Sequence, residues 1–223
     1  MAPRDAEATK ARIFEAATAE FAAYGIAGAR IDRIALHAQA NKQLIYAYFG
    51  DKKQLFYRVL EKALTDVAAS VSTDITEVDR WTDEHIDYYR EHPELLRLLL
   101  WEALEVDLDD VPRSEARTAR YQHKLTKIGE AQDQGLVRRD MPRPYVMMLL
   151  MALVHYPEAV PQCRALLFGD EYDPDDMRAW TREAVRRVIA PTQPAEAPAT
   201  AGTDTASTGS ASTEPVAEPA KSR

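Results

Sequence analysis

The 223-residue chain holds one cysteine, eight glycines and three tryptophans, and each scarcity excludes something. A single cysteine, Cys163, cannot close an internal disulfide and suits a reducing compartment. It has no nearby partner and no evident electropositive setting that would make it a redox sensor. Glycine is too sparse to build a phosphate-cradling loop, and no Ser/His/Asp order, zinc spacing or pocket-tied pair of carboxylates is present. His85, Tyr88, Tyr89 and His92 recur on one helical face, yet no third ligand joins them, so neither a metal nor any other cofactor is expected. The longest apolar run, Val146 to Val154, is far short of the ~20 residues that span a bilayer. The first residues are charged and polar, without the apolar core of a signal peptide. These absences predict a soluble cytoplasmic protein without a membrane partner, and not an enzyme.

What is abundant is Leu, Ala, Ile and Val at helical spacing, which predicts an all-α fold. Residues 1–8 read as a loose arm. Ile13, Phe14, Ala17, Phe21 and Tyr24 then form an amphipathic helix ending at Gly25. A helix begun at Lys52 runs to about Ser70, followed by a polar connector over 71–80. Further helices are expected from Asp79 to His92, stopped by Pro93, and from Glu94 through Leu104, apolar almost all round and largely buried. Ser114 caps a long helix bearing Tyr121, Leu125, Ile128 and Gln132, closed by Gly135. Residues 145–156 form an apolar helix terminated by Pro157, a short piece covers 158–168, and Asp173-Pro174 opens the last helix. From Ala190 onward Ala, Thr, Pro, Ser and Glu dominate without an aromatic residue, which predicts a disordered tail over 190–223.

The organising stretch is Ile31 to Leu60. Ile31, Ile34, Ala35 and Ala38 share one helical face; Gln39 and Ala40 make a turn. Asn41 is an N-cap for Lys42 to Phe49, and Gly50 ends that helix. Asp51 with Gln54 opens the next. Leu44, Ile45 and Phe49 can face inward while Lys42, Gln43, Tyr46 and Tyr48 look outward, the pattern of a helix-turn-helix. Charge is distributed to match. Residues 1–58 carry nine Lys/Arg against six Asp/Glu, whereas 59–189 carry seventeen against twenty-six. A basic head on an acidic body turns the head toward phosphates.

Gly25, Ile34-Ala35, Ala38, Ile45-Tyr46, Tyr48-Phe49, Lys52 and Leu55 together resemble the N-terminal signature of the TetR family of bacterial transcriptional regulators, in register over roughly residues 10–60. The chain departs from that pattern in three places. Ala29-Arg30 stands where Thr or Ser usually opens the first short helix, Gln39 where Gly usually makes the turn, and Gln43 where another Gly is common.

The resemblance implies an N-terminal three-helix helix-turn-helix DNA-binding domain over 1–58 and a helical-bundle ligand-binding and dimerisation domain over 59–189. The implied partner is double-stranded DNA, a pseudo-palindromic operator met by a homodimer. By position, Lys42 and Gln43 would reach bases, with Gln suited to adenine and Lys to guanine. Tyr46, Tyr48, Lys52, Arg30, Arg33 and Asn41 would hold phosphates. The family's dimer seam would map to Val146, Leu149, Leu150 and Leu153 with Trp180, Ala184, Val185 and Val188. A pocket for a small organic effector would draw on Tyr89, Trp101, Tyr121, Met147, Met151 and His155, mostly apolar walls with few polar groups. Two other readings stay open: the same fold without a small-molecule ligand, and a helical-bundle small-molecule-binding protein.

Overall fold

The computed structural model describes residues 3–112 and 115–191. Among them every regular element is helical. The head comprises α1 (Pro3–Gly28), α2 (Ile31–His37), α3 (Lys42–Phe49) and the start of α4 (Lys52–Ser70). The body adds α5 (Val78–Glu91), α6 (Pro93–Glu105), α7 (Glu115–Asp133), α8 (Arg143–Ala159), α9 (Pro161–Phe168) and α10 (Pro174–Ile189). The boundary expected at 58/59 lies inside α4, which crosses it without a break.

Local chemistry explains the helix ends. Asp51 Oδ1 accepts the Gln54 N–H at 2.8 Å, and Asp173 accepts from Asp175 and Asp176. Each satisfies donors that the first turn of a helix leaves bare. Gly50 leaves α3 at φ 79°, a conformation that costs glycine little. Gly25 interrupts α1 at φ 69° for a second reason: a Cβ there would sit 2.5 Å from Glu105 and 2.7 Å from Trp101.

The head core is built from apolar faces at helical spacing. Ile13, Ala17 and Phe21 of α1 meet Ile34, Ile45, Phe49, Leu55 and Phe56, all buried. Phe21 meets Phe56 edge-on at 5.3 Å, and Phe14 meets Phe49 at 5.1 Å. The body is docked on the back of this core by α6. Arg97 Nε and Trp101 Nε1 both donate to the Ala22 carbonyl, at 2.6 and 3.2 Å. Glu105 accepts the Ile26 and Ala27 N–H groups at 2.6 and 2.9 Å. In the body α10 is zipped to α5 by arginines one turn apart: Arg178 pairs with Asp87, Arg182 with Asp83 and Arg186 with Asp79.

Several expectations change. Residues 3–8 belong to α1 instead of a loose arm. Pro157 does not end α8, which continues to Ala159 before Pro161 opens α9. On α6, Leu95, Leu96 and Leu98 are buried, but Leu100 and Leu104 face solvent, so one stripe is free. The cap expected at Ser114, and all but the first two residues of the tail expected over 190–223, lie outside the described residues.

Candidate nucleic-acid interface

The turn between α2 and α3 is made by Gln39 at φ 51°, among the described residues the sole non-glycine in the left-handed region. Arg12 reaches from α1 to the Ala38 carbonyl at 3.1 Å and so secures the end of α2. Asn41 Oδ1 accepts the Gln43 N–H at 2.8 Å and starts α3. Ile45 and Phe49 anchor α3 to the core, which leaves Lys42, Gln43, Tyr46 and Ala47 exposed along its outer face. Tyr48 is half-buried, edge-on to Phe49, with the Lys10 ammonium over its ring at 5.3 Å.

The expected phosphate contacts divide into two groups. Arg30 points to solvent, and Lys42 is engaged only by a surface pair to Asp32 at 2.8 Å, a kind of contact that gives way easily to a stronger anion. Arg33 and Lys52 are already used. Arg33 grips Glu20 at 2.6 Å, donates to the Gly28 carbonyl and stacks on Tyr24 at 4.2 Å. Lys52 donates to the carbonyls of Ala27 and Ala29, at 3.1 and 3.2 Å. Both therefore brace the α1–α2 corner, and these bonds compete with the phosphate contacts expected of them.

Glu20 is the residue that sequence reasoning missed. It is buried, and it also accepts the Arg30 N–H at 2.7 Å, acting at a distance as the cap for α2 that Ala29-Arg30 lacks. Burial by itself would raise its pKa, but hydrogen bonds from Arg33 and the Arg30 N–H outweigh that and hold the carboxyl below its usual range. The available signal was an acid placed beside Ala16, Ala17 and Phe21 on the inner face of α1.

In the body the expected effector residues do not come together. Tyr89 and His155 are joined at 2.7 Å and packed edge-on. His85 lies on Trp81 with ring centres 4.1 Å apart, its Nδ1 2.7 Å from the Trp81 carbonyl. Desolvation pushes both imidazoles down to about 4, so they are neutral. Beside them Met147 and Met151 line a void of only about 10 Å³, room for one water at most. Trp101 lies at the head–body joint and Tyr121 is exposed. These residues lie in the core, at the joint and on the surface.

The expected dimer seam also divides. Val146, Leu150 and Val185 are fully buried within the protomer and have no surface for a partner. Leu149 and Trp180 are exposed, while Leu153, Ala184 and Val188 are half-buried. The exposed apolar stripe of α8 is Tyr145, Met148, Leu149, Ala152 and Tyr156, a face that the sequence pattern placed a third of a turn away.

A short helix in a three-helix support, its polar face outward and its body attached behind, defines a helix-turn-helix DNA-binding regulator. Comparison with known proteins is specific. Residues 13–59 match the family described as bacterial regulatory proteins, tetR family, and residues 77–187 match the tetracyclin repressor-like C-terminal domain. The HTH-type transcriptional repressor SCO4008 of Streptomyces coelicolor is 47% identical over 190 residues, covering 85% of this chain and 99% of that protein. The HTH-type transcriptional repressor NicS of Pseudomonas putida is 29% identical over 163 residues, covering 69% of this chain and 77% of that one. The solved structure of the transcriptional regulator SCO4942 of Streptomyces coelicolor superposes with a TM-score of 0.72 at 30% identity, covering 81% of this chain and 98% of that one. The chain belongs to the TetR family of bacterial transcriptional regulators and is not an enzyme. No helix among the described residues is long and apolar enough to cross a membrane.

Proposed function

We propose that the protein is a homodimeric repressor that sits on a pseudo-palindromic operator and is released by a small organic effector, acting in the cytoplasm where its DNA lies. The observation that carries this reading is the exposed ridge of Lys42, Gln43 and Tyr46 on the Asn41-capped helix. Lys42 and Gln43 read base edges in the major groove; Tyr46, Arg30 and the N-terminal end of α3 at Asn41 hold the flanking phosphates. Tyr48, Arg33 and Lys52 position that ridge. The relatives SCO4008 and NicS are named as repressors, which supports repression here.

One head reads few base pairs, so two are needed, and the α8 stripe together with Trp180 is the face that a second copy covers. Five exposed apolar or aromatic positions on one helix side mark an interaction surface. Within each protomer, residues 1–58 act as the DNA-binding domain and 59–189 as the effector and dimerisation domain. The deciding experiment is selection of bound fragments from random duplex DNA. The expected product is an inverted repeat with half-site centres about 34–36 Å apart or a multiple of that. Enrichment of no motif, or of a single unrepeated half-site, would overturn the dimeric operator reading.

A further inference from the structure

Beside Met147 and Met151 the body leaves a void of only about 10 Å³, whereas the joint between head and body is open. A solvent-open cavity of about 470 Å³ lies between α1, α4 and the beginning of α7, walled by Phe14, Tyr57, Leu60, Leu64, Thr65 and Pro112. That volume is in the range of small-molecule sites. We propose that this cavity is the effector site, and that it takes an uncharged, ring-containing organic molecule bearing one hydrogen-bond acceptor. The inference rests on the effector-released reading above and moves the site from the interior to the joint.

Chemistry at the walls selects the ligand class. Of the charged groups around the cavity, Lys62 pairs with Asp66 at 2.6 Å, Glu61 with Arg120 at 2.9 Å and Arg117 with Glu102 at 2.8 Å, while Arg58 is exposed to solvent. A charged ligand would have to break one of these pairs or rest beside solvated Arg58, where an ion pair adds little, whereas an apolar ring system covers Phe14, Leu60 and Leu64. Tyr57 supplies the polar handle. Its hydroxyl reaches the Asp110 carbonyl only at 3.4 Å, a long bond that an incoming acceptor can replace. Burial raises the phenol's pKa, so it stays a donor at neutral pH.

Position then links occupancy to DNA. Phe14 lies in the cavity wall and also packs edge-on against Phe49, the last residue of α3, at 5.1 Å. Tyr57, Leu60, Leu64 and Thr65 all belong to α4, the helix that carries the head. A molecule wedged there bears on α4 and on the support of α3 at once. The interior void near Met151 touches neither Phe14 nor Phe49.

The test uses the full-length protein, the operator fragment selected as above, and Nile red, an uncharged fused-ring dye with a carbonyl acceptor. Expected results are saturable binding of one dye per chain and at least a fivefold weakening of operator affinity at saturation. Leu64→Trp should reduce dye affinity at least tenfold, and Tyr57→Phe about threefold to tenfold. The Leu166→Ser/Leu167→Ser double variant, which alters an exposed apolar patch on α9, should leave it unchanged. If Leu64→Trp fails to fold by circular dichroism, Tyr57→Phe decides. Dye binding that survives the cavity variants, or that is lost with the α9 variant, overturns the site. Dye held in the cavity with operator affinity unmoved overturns its role as effector site. Failure of the dye-free protein to bind any duplex overturns the regulator mechanism instead, and so the two failures are told apart.

Discussion

The outer face of α3 and the inner edge of α10 both present cations, and what stands opposite them separates recognition from structure. On α10, Arg178, Arg182 and Arg186 each meet an aspartate of α5. On α3, Lys42 meets only the exposed Asp32, and Gln43 and Tyr46 face solvent. Arg33 and Lys52 stand between these extremes, close to the ridge in sequence yet turned to a buried acid and to carbonyls. A cation is available to DNA only where the fold has left it without a better partner. Counting lysines and arginines along the head therefore overstates how many of them the fold leaves on the surface without a buried partner.

The contrast can be broken most sharply from inside the body. Glu102 holds Arg117 through two bonds of 2.8 Å, with both side chains largely buried. Glu102→Ala should cost about 3–5 kcal/mol in chemical denaturation, because it takes the carboxylate partner from a largely buried guanidinium. A loss below about 1 kcal/mol would show the pair to be solvated like α10's.

Acid should act next in size, and on the body first. His85 and His155 are held neutral by burial, with folded values of about 4 against 6.5 in the unfolded chain. A depressed folded pKa means that full stability exists above pH ~6.5 and is lost as pH falls toward 4, by roughly 2–3 kcal/mol for each ring. Thermal melting followed from pH 7 to 4 should show this decline, and His85→Phe should remove about half of it. A flat profile would place both rings in water.

On DNA, Lys42→Ala or Gln43→Ala should cost ~1–3 kcal/mol on the selected operator and relax its preferred sequence, without change in melting temperature. Arg182→Ala should do the reverse, leaving DNA affinity intact and costing under about 1 kcal/mol of stability, as partly exposed pairs do. Equal losses on random and selected duplex would reduce Lys42 and Gln43 to phosphate contacts. The smallest effect belongs to Gln39. Since its φ is 51°, Gln39→Gly should stabilise by about 0.5–1 kcal/mol, relief of strain exceeding the added chain entropy. Destabilisation would mean that the Gln39 side chain holds the turn by a contact of its own.

Legibility followed distance along the chain. Asn41 with Gln43, Asp51 with Gln54, and the breaks at Gly25 and Gly50 were readable because cap and helix lie within three residues of each other. The exposed ridge followed from the same short period. The bracing role of Arg33 and Lys52 was not readable, since their partners, Glu20 and the Ala27 and Ala29 carbonyls, are 13 to 25 residues away. The place of Trp101 at the joint was hidden for the same reason: the Ala22 carbonyl that it reaches is 79 residues distant. In α8 the trouble was periodicity. Val146 to Val154 is apolar on every side, so nothing local distinguishes the core face, with Val146 and Leu150, from the free face, with Met148 and Leu149.

By itself the sequence determined many of the helix ends, which helix carries a polar ridge, and the helix-turn-helix pattern, because capping, periodicity and turn chemistry act over a few residues. Tertiary structure alone decided which cations of the head are held by protein groups, which apolar face of α8 is exposed, and where a cavity opens beside α4. Those are properties of surfaces brought together from distant parts of the chain, and a carboxylate such as Glu20 has one meaning in water and another once helices close around it.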